Sequence, residues 1–136
     1  MYRKAVIRVF RPEDEGVLFG LARLDRGADE RTLAVLERET VFVAEVESSV
    51  AGYVALVARE DAVRVDQLFV SSDHEAEGEG VGRQLLEYAE GYAISQGARV
   101  LQVVVEPENR RAIAFYRGRG FVPAGADLLE LVLPLP

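Results

Sequence analysis

Residues 63–105 read VRVDQLFVSSDHEAEGEGVGRQLLEYAEGYAISQGARVLQVVV, and the order of patterns inside this stretch decides the fold. Val63–Val70 is rich in β-branched and apolar residues and reads as a strand. A polar stretch, SSDHEAEGEGVG, follows as a glycine-rich loop. Next comes a helix of about sixteen residues, near the common helix length. Its apolar positions Val81, Leu85, Tyr88 and Tyr92 recur at helical spacing, beside Leu86, Ala89 and Ala93. Gly97 suits the left-handed residue that ends such a helix. Val100–Val105 is nearly all apolar and reads as an interior strand covered on both faces. A strand, a helical crossover and a second strand imply parallel pairing of Val63–Val70 with Val100–Val105, because parallel strands need a connection of that length.

Upstream, the pattern is antiparallel. Val41–Val46 and Tyr53–Ala58 read as strands joined by ESSVAG, with Gly52 and the paired serines suited to a hairpin turn. A turn at Glu60–Ala62 then leads into Val63–Val70, so residues 41–70 form a meander. Ala5–Phe10 reads as an earlier strand. Pro12, followed by Glu13, Asp14 and Glu15, marks a helix start. Val17, Leu18, Leu21, Ala22 and Leu24 supply its apolar spacing. Asp29 suits the cap of a second short helix bearing Leu33 and Leu36. Downstream, Pro107 stops the central strand and Asn109 caps a short helix that Gly118 or Gly120 ends. Phe121–Val122 and Leu128–Leu133 complete the sheet.

Composition bounds the function. The 136 residues suit a single domain over residues 1–136, and 49% hydrophobic against 29% charged residues allow a packed core. The net charge of −7 argues against nucleic-acid and anionic-membrane partners and favours a cationic acceptor. There is no cysteine, which excludes disulfides and a thiol nucleophile, and the single histidine, His74, excludes a histidine-rich metal site. No metal is expected. No apolar run reaches the ~20 residues of a membrane span, and the opening residues turn charged too soon for a secretory signal, so the cytoplasm is the expected location.

Gly78, Gly80 and Gly82 alternate between a strand and a helix. Glycine admits close backbone approach, and a helix start offers free N–H groups and a positive dipole end. Together they suit a phosphate or pyrophosphate. Arg83 stands where the dinucleotide fingerprint has its third glycine, and no Gly-Lys-Ser/Thr follows as in a phosphate-binding Walker loop.

With the stretch Asn109-Arg-Arg-Ala112-Ile-Ala-Phe115-Tyr116-Arg-Gly-Arg-Gly120-Phe121, these glycines make an ordered pair of motifs. The chain resembles the GNAT superfamily of acyl-CoA-dependent N-acetyltransferases over residues 41–122. The resemblance implies a mixed α+β fold with a mostly antiparallel sheet of six to seven strands and about four helices. It implies acetyl-CoA as co-substrate, its pyrophosphate on the amides of Gly78, Glu79, Gly80, Val81, Gly82 and Arg83. The pantetheine arm is expected along Phe69 and Val70, where the strand Val63–Val70 would splay from Val100–Val105. Asn109, Arg111 and Tyr116 are expected to face the cofactor. Asp73, Glu75, Glu77 and Glu79 make the loop acidic, and Arg83, Arg110 and Arg111 are the cations placed to offset them. A homodimer is also plausible by the resemblance.

Transfer to an amine needs a neutral nucleophile, donors for the tetrahedral oxyanion and a proton for the departing thiolate. A backbone N–H near Val70 suits the oxyanion. By resemblance Tyr116 is the acid; Asn109, Ala112 and Tyr116 share one helix face through their spacing. An ordinary packed tyrosine is the alternative for Tyr116, and a plain cap for Asn109. Asp66 and Glu45 are the candidate bases, each equally readable as a solvated strand residue. The expected acceptor is a primary amine on a small molecule or a peptide. The alternative function is a catalytically silent acyl-CoA-binding or regulatory module of the same fold.

Overall fold

The structure, a computed structural model, describes residues 5–26, 30–71 and 78–134. Seven strands join in one sheet in the order β1-β2-β3-β4-β5-β7-β6. They are β1 (Val6–Val9), β2 (Thr40–Val46), β3 (Ser49–Arg59), β4 (Ala62–Val70), β5 (Val100–Val104), β6 (Val122–Pro123) and β7 (Leu128–Val132). Four α-helices accompany them among the described residues: α1 (Glu15–Arg26), α2 (Glu30–Arg38), α3 (Gly78–Ser95) and α4 (Arg110–Gly118). β1 with β2, β2 with β3, β5 with β7 and β6 with β7 pair antiparallel, whereas β4 and β5 run parallel from Ala62↔Val100 to Val65↔Val103. This is the mixed, mostly antiparallel fold that the crossover through α3 requires.

The chain divides into two compact units. The first comprises residues up to Leu56 together with Gln67–Ala89. Its core joins Leu18 of α1 and Val35 and Leu36 of α2 to Val41, Val43, Tyr53, Ala55 and Phe69 of the strands. Helices of 12 and 9 residues are marginal alone. Burying Leu18 and Leu36, at roughly 1.5–3 kcal/mol each, is what holds them. The helical start expected at Pro12 is a short 3₁₀ turn, Pro12–Asp14, running into α1. Asp14 accepts the Arg11 N–H at 2.8 Å, and Arg8 binds the same carboxylate through two N–H donors at 2.7 and 2.9 Å. Val17, expected on the apolar face, is half exposed. The cap expected at Asp29 and the side chains of Ala22, Leu24 and Leu33 lie outside the described residues.

The β2–β3 hairpin corrects the sequence reading. Its turn is only Glu47-Ser48, with φ of 51° and 67°, the left-handed pair that tight hairpins need. Gly52 is therefore inside β3, not in the turn. The register between the strands shifts from Ala44↔Gly52 to Glu45↔Val50, leaving Ala51 as a bulge residue.

The second unit comprises Val57–Asp66 and the chain from Glu90 onward. Its helix ends follow one rule. At the end of α3, Gly97 has φ 77°, with Ala98 N–H bonded to Ala93 O and Gly97 N–H to Ile94 O, both at 3.0 Å. At the end of α4, Gly120 has φ 100°, with Phe121 N–H bonded to Tyr116 O and Gly120 N–H to Arg117 O. Both are Schellman motifs, which only a residue free to take positive φ completes cheaply. β5 buries Leu101 and Val103, but Val104 is 48% exposed, so the strand is not covered on both faces as expected. Across its other face runs a polar row. Gln102 donates to Glu130 at 2.6 Å and accepts from Arg64 at 3.4 Å, across the register Arg64↔Gln102↔Glu130. The one polar side chain in this nearly all-apolar strand is accommodated because its neighbours on both sides supply partners.

Candidate active site

The glycine run is not a loop throughout. α3 begins at Gly78, so Gly78, Gly80 and Gly82 belong to its first turns. Glycine is a poor helix former, about 1 kcal/mol below alanine at interior positions. Their concentration at a helix start leaves main-chain N–H groups with little side chain around them. Gly80, Val81 and Gly82 are buried, and Gln84 Nε2 donates to Gly80 O at 3.1 Å. Gln84 Oε1 in turn accepts the N–H of Ala5 at 3.0 Å, which ties this turn to the chain ahead of β1. Farther along α3, Leu85, Leu86, Ala89 and Ala93 are fully buried while Tyr88 is 42% exposed. The buried stripe is therefore Val81-Leu85-Leu86-Ala89-Ala93, not the expected line through Tyr88 and Tyr92. Tyr88 instead lays its ring against Phe42 at 4.7 Å.

Arg83 follows the glycines. Its guanidinium pairs with Glu87 at 3.6 Å, one helical turn on. In the same unit, Phe69 is buried and Val70 half-buried at the end of β4. Glu45, expected as a candidate base, accepts a short hydrogen bond from Arg8 Nε. Arg8 thereby bridges Glu45 and Asp14. Its guanidinium is held above its ordinary pKa, chiefly by the bond to Asp14 and then by Glu45. Asp14 is held below its ordinary value of 3.8, first by the Arg8 bond and against the opposing effect of burial.

In the second unit, Asp66 is half-buried on β4, one residue past the last β4–β5 pair, Val65↔Val103. Asn109 and Arg111 are exposed. Asn109 caps α4 as expected, its side-chain oxygen accepting the Ala112 N–H at 3.2 Å. Tyr116 is 6% exposed, its ring set edge-on to Phe115 at 5.2 Å and to Phe121 at 5.3 Å. The Schellman bond from Phe121 to Tyr116 O fixes the second of these contacts. So α4 brings Asn109 and Tyr116 onto one helix, while Asp66 lies on a strand of the same unit.

Sequence reasoning gave Gly52 to the hairpin turn and Tyr53 no role beyond opening a strand. Gly52 packs so closely under β4 that a Cβ there would collide with the carbonyl oxygen of Phe69. An isolated glycine within an otherwise continuous strand pattern is the signal that marks such an approach.

The mixed sheet with its α3 crossover is the GNAT fold. The chain belongs to the acetyltransferase (GNAT) family, whose model matches residues 6–121. A mycothiol acetyltransferase of Jonesia denitrificans is 36% identical over 74 residues, 54% of this chain and 24% of its own length. An uncharacterized N-acetyltransferase of Methanocaldococcus jannaschii is 30% identical over 92 residues, 62% of this chain and 40% of its own length. The chain thus spans less than half the length of these two relatives. The structure of Ard1 from Thermoplasma volcanium superposes with a TM-score of 0.82 at 21% identity, covering 96% of this chain and 98% of that one. This last likeness is one of fold.

Proposed function

We propose that the protein transfers an acetyl group from acetyl-CoA to a primary amine on a small molecule or peptide. The observation that carries this reading is the start of α3 inside the run Gly78–Gly82, directly after the strand that pairs in parallel with β5. A helix start built of glycines fits a pyrophosphate, because glycine sets no side chain of its own beside the N–H groups and the dipole end is positive. Arg83 and Arg111 add positive charge for the phosphates. Phe69 and Val70 offer main-chain groups to the pantetheine arm, and the amide of Asn109 adds a donor.

Acetyl-CoA supplies the activated thioester. The amine nitrogen forms the new C–N bond as the C–S bond breaks. The Val70 N–H stabilises the oxyanion that develops on the acetyl oxygen. Asp66 receives the proton lost by the amine, directly or through water, and Tyr116 gives one to the departing thiolate. The two transfers balance. Asp66 is favoured over Glu45 as base because Glu45 already serves as a hydrogen-bond acceptor for Arg8. The test is an amine screen with acetyl-CoA and detection of free thiol. Thiol release that depends on an amine supports the reading. Binding of acetyl-CoA without release under any amine would leave the silent acyl-CoA-binding module in its place.

A further inference from the structure

We propose that Gly52 and Tyr53 of β3 are positioning residues for acetyl transfer: they set the main chain of Phe69 and Val70 at the end of β4. The inference rests on the role proposed above for those two residues.

Three neighbouring features of β3 grip the end of β4. The bulge at Ala51 turns that residue out of register with β2, and its carbonyl accepts the N–H of Ser71 at 2.7 Å. Gly52 lies next in the chain. A Cβ there would overlap the Phe69 carbonyl oxygen and come within 3.1 Å of Val70 Cα and 3.2 Å of Phe69 C. All three obstacles are backbone, so no rotamer change relieves them. Tyr53 follows, fully buried, with its hydroxyl donating to Gln67 Oε1 at 2.6 Å and its ring 5.7 Å from that of Phe69. β4 is therefore held at Gln67 by a side chain, at Phe69–Val70 by the absence of one, and at Ser71 by a main-chain bond. The turn does not explain the glycine, since Glu47-Ser48 makes the turn. The φ of Gly52 does not explain it either, because Gly52 is not among the residues with positive φ. What remains is proximity, and the segment approached is the one whose N–H and C=O groups are proposed to meet the thioester end of the cofactor. Bulges gather beside active sites because they re-aim a strand locally.

Adding a Cβ at position 52 must push Phe69 and Val70 away. A misplacement of about 1 Å at reacting groups costs on the order of 10²-fold. The pyrophosphate site on α3 does not depend on that distance. The test uses the full chain with two probes: acetyl-CoA, and phosphoadenosine diphosphate, the nucleotide end of CoA without its pantetheine arm. In calorimetric titration, Gly52→Ala should lose roughly 10–100-fold in acetyl-CoA affinity and keep its affinity for the nucleotide within about twofold. Tyr53→Phe, which keeps the ring and removes the bond to Gln67, should lose about 3–10-fold for acetyl-CoA alone. Tyr53→Phe decides the matter if Gly52→Ala fails to fold. An equal loss for both probes would mark a purely structural role and overturn the proposal. So would unchanged acetyl-CoA affinity in a folded variant. A parent protein that binds the nucleotide as tightly as acetyl-CoA overturns the assignment of Phe69 and Val70, and the proposal with it. A parent that binds neither probe overturns the acetyl-CoA reading itself.

Discussion

The starts of α3 and α4 solve the same problem in opposite ways. Every helix begins with N–H groups that lack partners inside it. α4 answers with its own side chain, Asn109, whose oxygen takes the Ala112 N–H. α3 answers with glycines at 78, 80 and 82. The first arrangement serves stability from within. The second suits a ligand from outside, at the cost of poor helix formers in the opening turn. The contrast extends beyond the two helices. The first unit holds three main-chain features: a bulge at Ala51, a side-chain-free contact at Gly52 and a glycine helix start. In the second they are side chains: the Asn109 cap, Tyr116 between two phenylalanines and the polar row through Gln102. The glycine start of the first unit is the proposed phosphate site and the side chains of Asp66 and Tyr116 in the second are the proposed base and acid, a contrast that substitutions can break.

The largest expected effect is at Tyr116. Tyr116→Phe keeps the ring between Phe115 and Phe121 and removes only the hydroxyl. With an acceptor in hand, kcat should fall by roughly 10²–10⁴-fold while acetyl-CoA affinity stays within about twofold. Steady-state kinetics with parallel titration checks this. Unchanged kcat with a lowered melting temperature would make Tyr116 a packing residue and erase the contrast from the second unit.

The glycine start provides the converse case. Acetyl-CoA at a hundredfold excess over its Kd should stabilise the parent by about 2.7 kcal/mol. Gly80→Asp or Gly82→Asp should abolish that gain, because each puts a negative side chain where phosphate is proposed to sit. Differential scanning calorimetry with and without the cofactor measures it. Retention of the full gain by both folded variants would remove α3 from the binding site.

Arg8 and its carboxylates sharpen the comparison from another side, since they are side chains of the first unit with a structural task. The Asp14 carboxyl is depressed below 3.8 in the folded protein. Its contribution to stability is therefore present above pH 3.8 and lost as pH falls through the lower folded value. Arg8 is raised chiefly by the same bond, so its contribution holds through the neutral range and lasts into acid only while Asp14 stays ionised. Arg8→Gln should cost about 1–3 kcal/mol near neutrality, and Asp14→Asn should flatten the acid limb of a stability–pH curve. An Asp14→Asn curve that keeps the parent's acid slope would assign that slope to other carboxylates.

The smallest effect separates the two uses of Asn109. Asn109→Ala should cost about 1 kcal/mol of stability through the lost cap. Asn109→Asp keeps a good cap at a helix start and removes the amide donor, so stability should hold within ~0.5 kcal/mol while acetyl-CoA affinity falls a few-fold. Equal acetyl-CoA affinity in Asn109→Asp and the parent would leave Asn109 a cap and nothing more.

Much of this was legible in the chain because its causes are local. The parallel pairing of β4 with β5 followed from a strand, a helical period and a second strand in succession. Gly97, Gly120 and Asn109 could be placed because helix ends are chemical problems solved within about six residues. The glycines could be named from their run before a helix and Asp66 from its place on a central strand, whereas Tyr116 was named from the family resemblance. The tertiary structure decided what depends on distant partners. Gly52 looked like a turn residue until β4 came to lie against it, 17 residues further along the chain. Glu45 looked available until β1 supplied Arg8, 37 residues away. Tyr88 and Val104 carry apolar side chains in apolar company, yet their exposure was set by which faces the neighbouring elements cover. Periodicity reports what a segment can bury, whereas burial itself, and the partner a charged group finds, are properties of the assembled sheet.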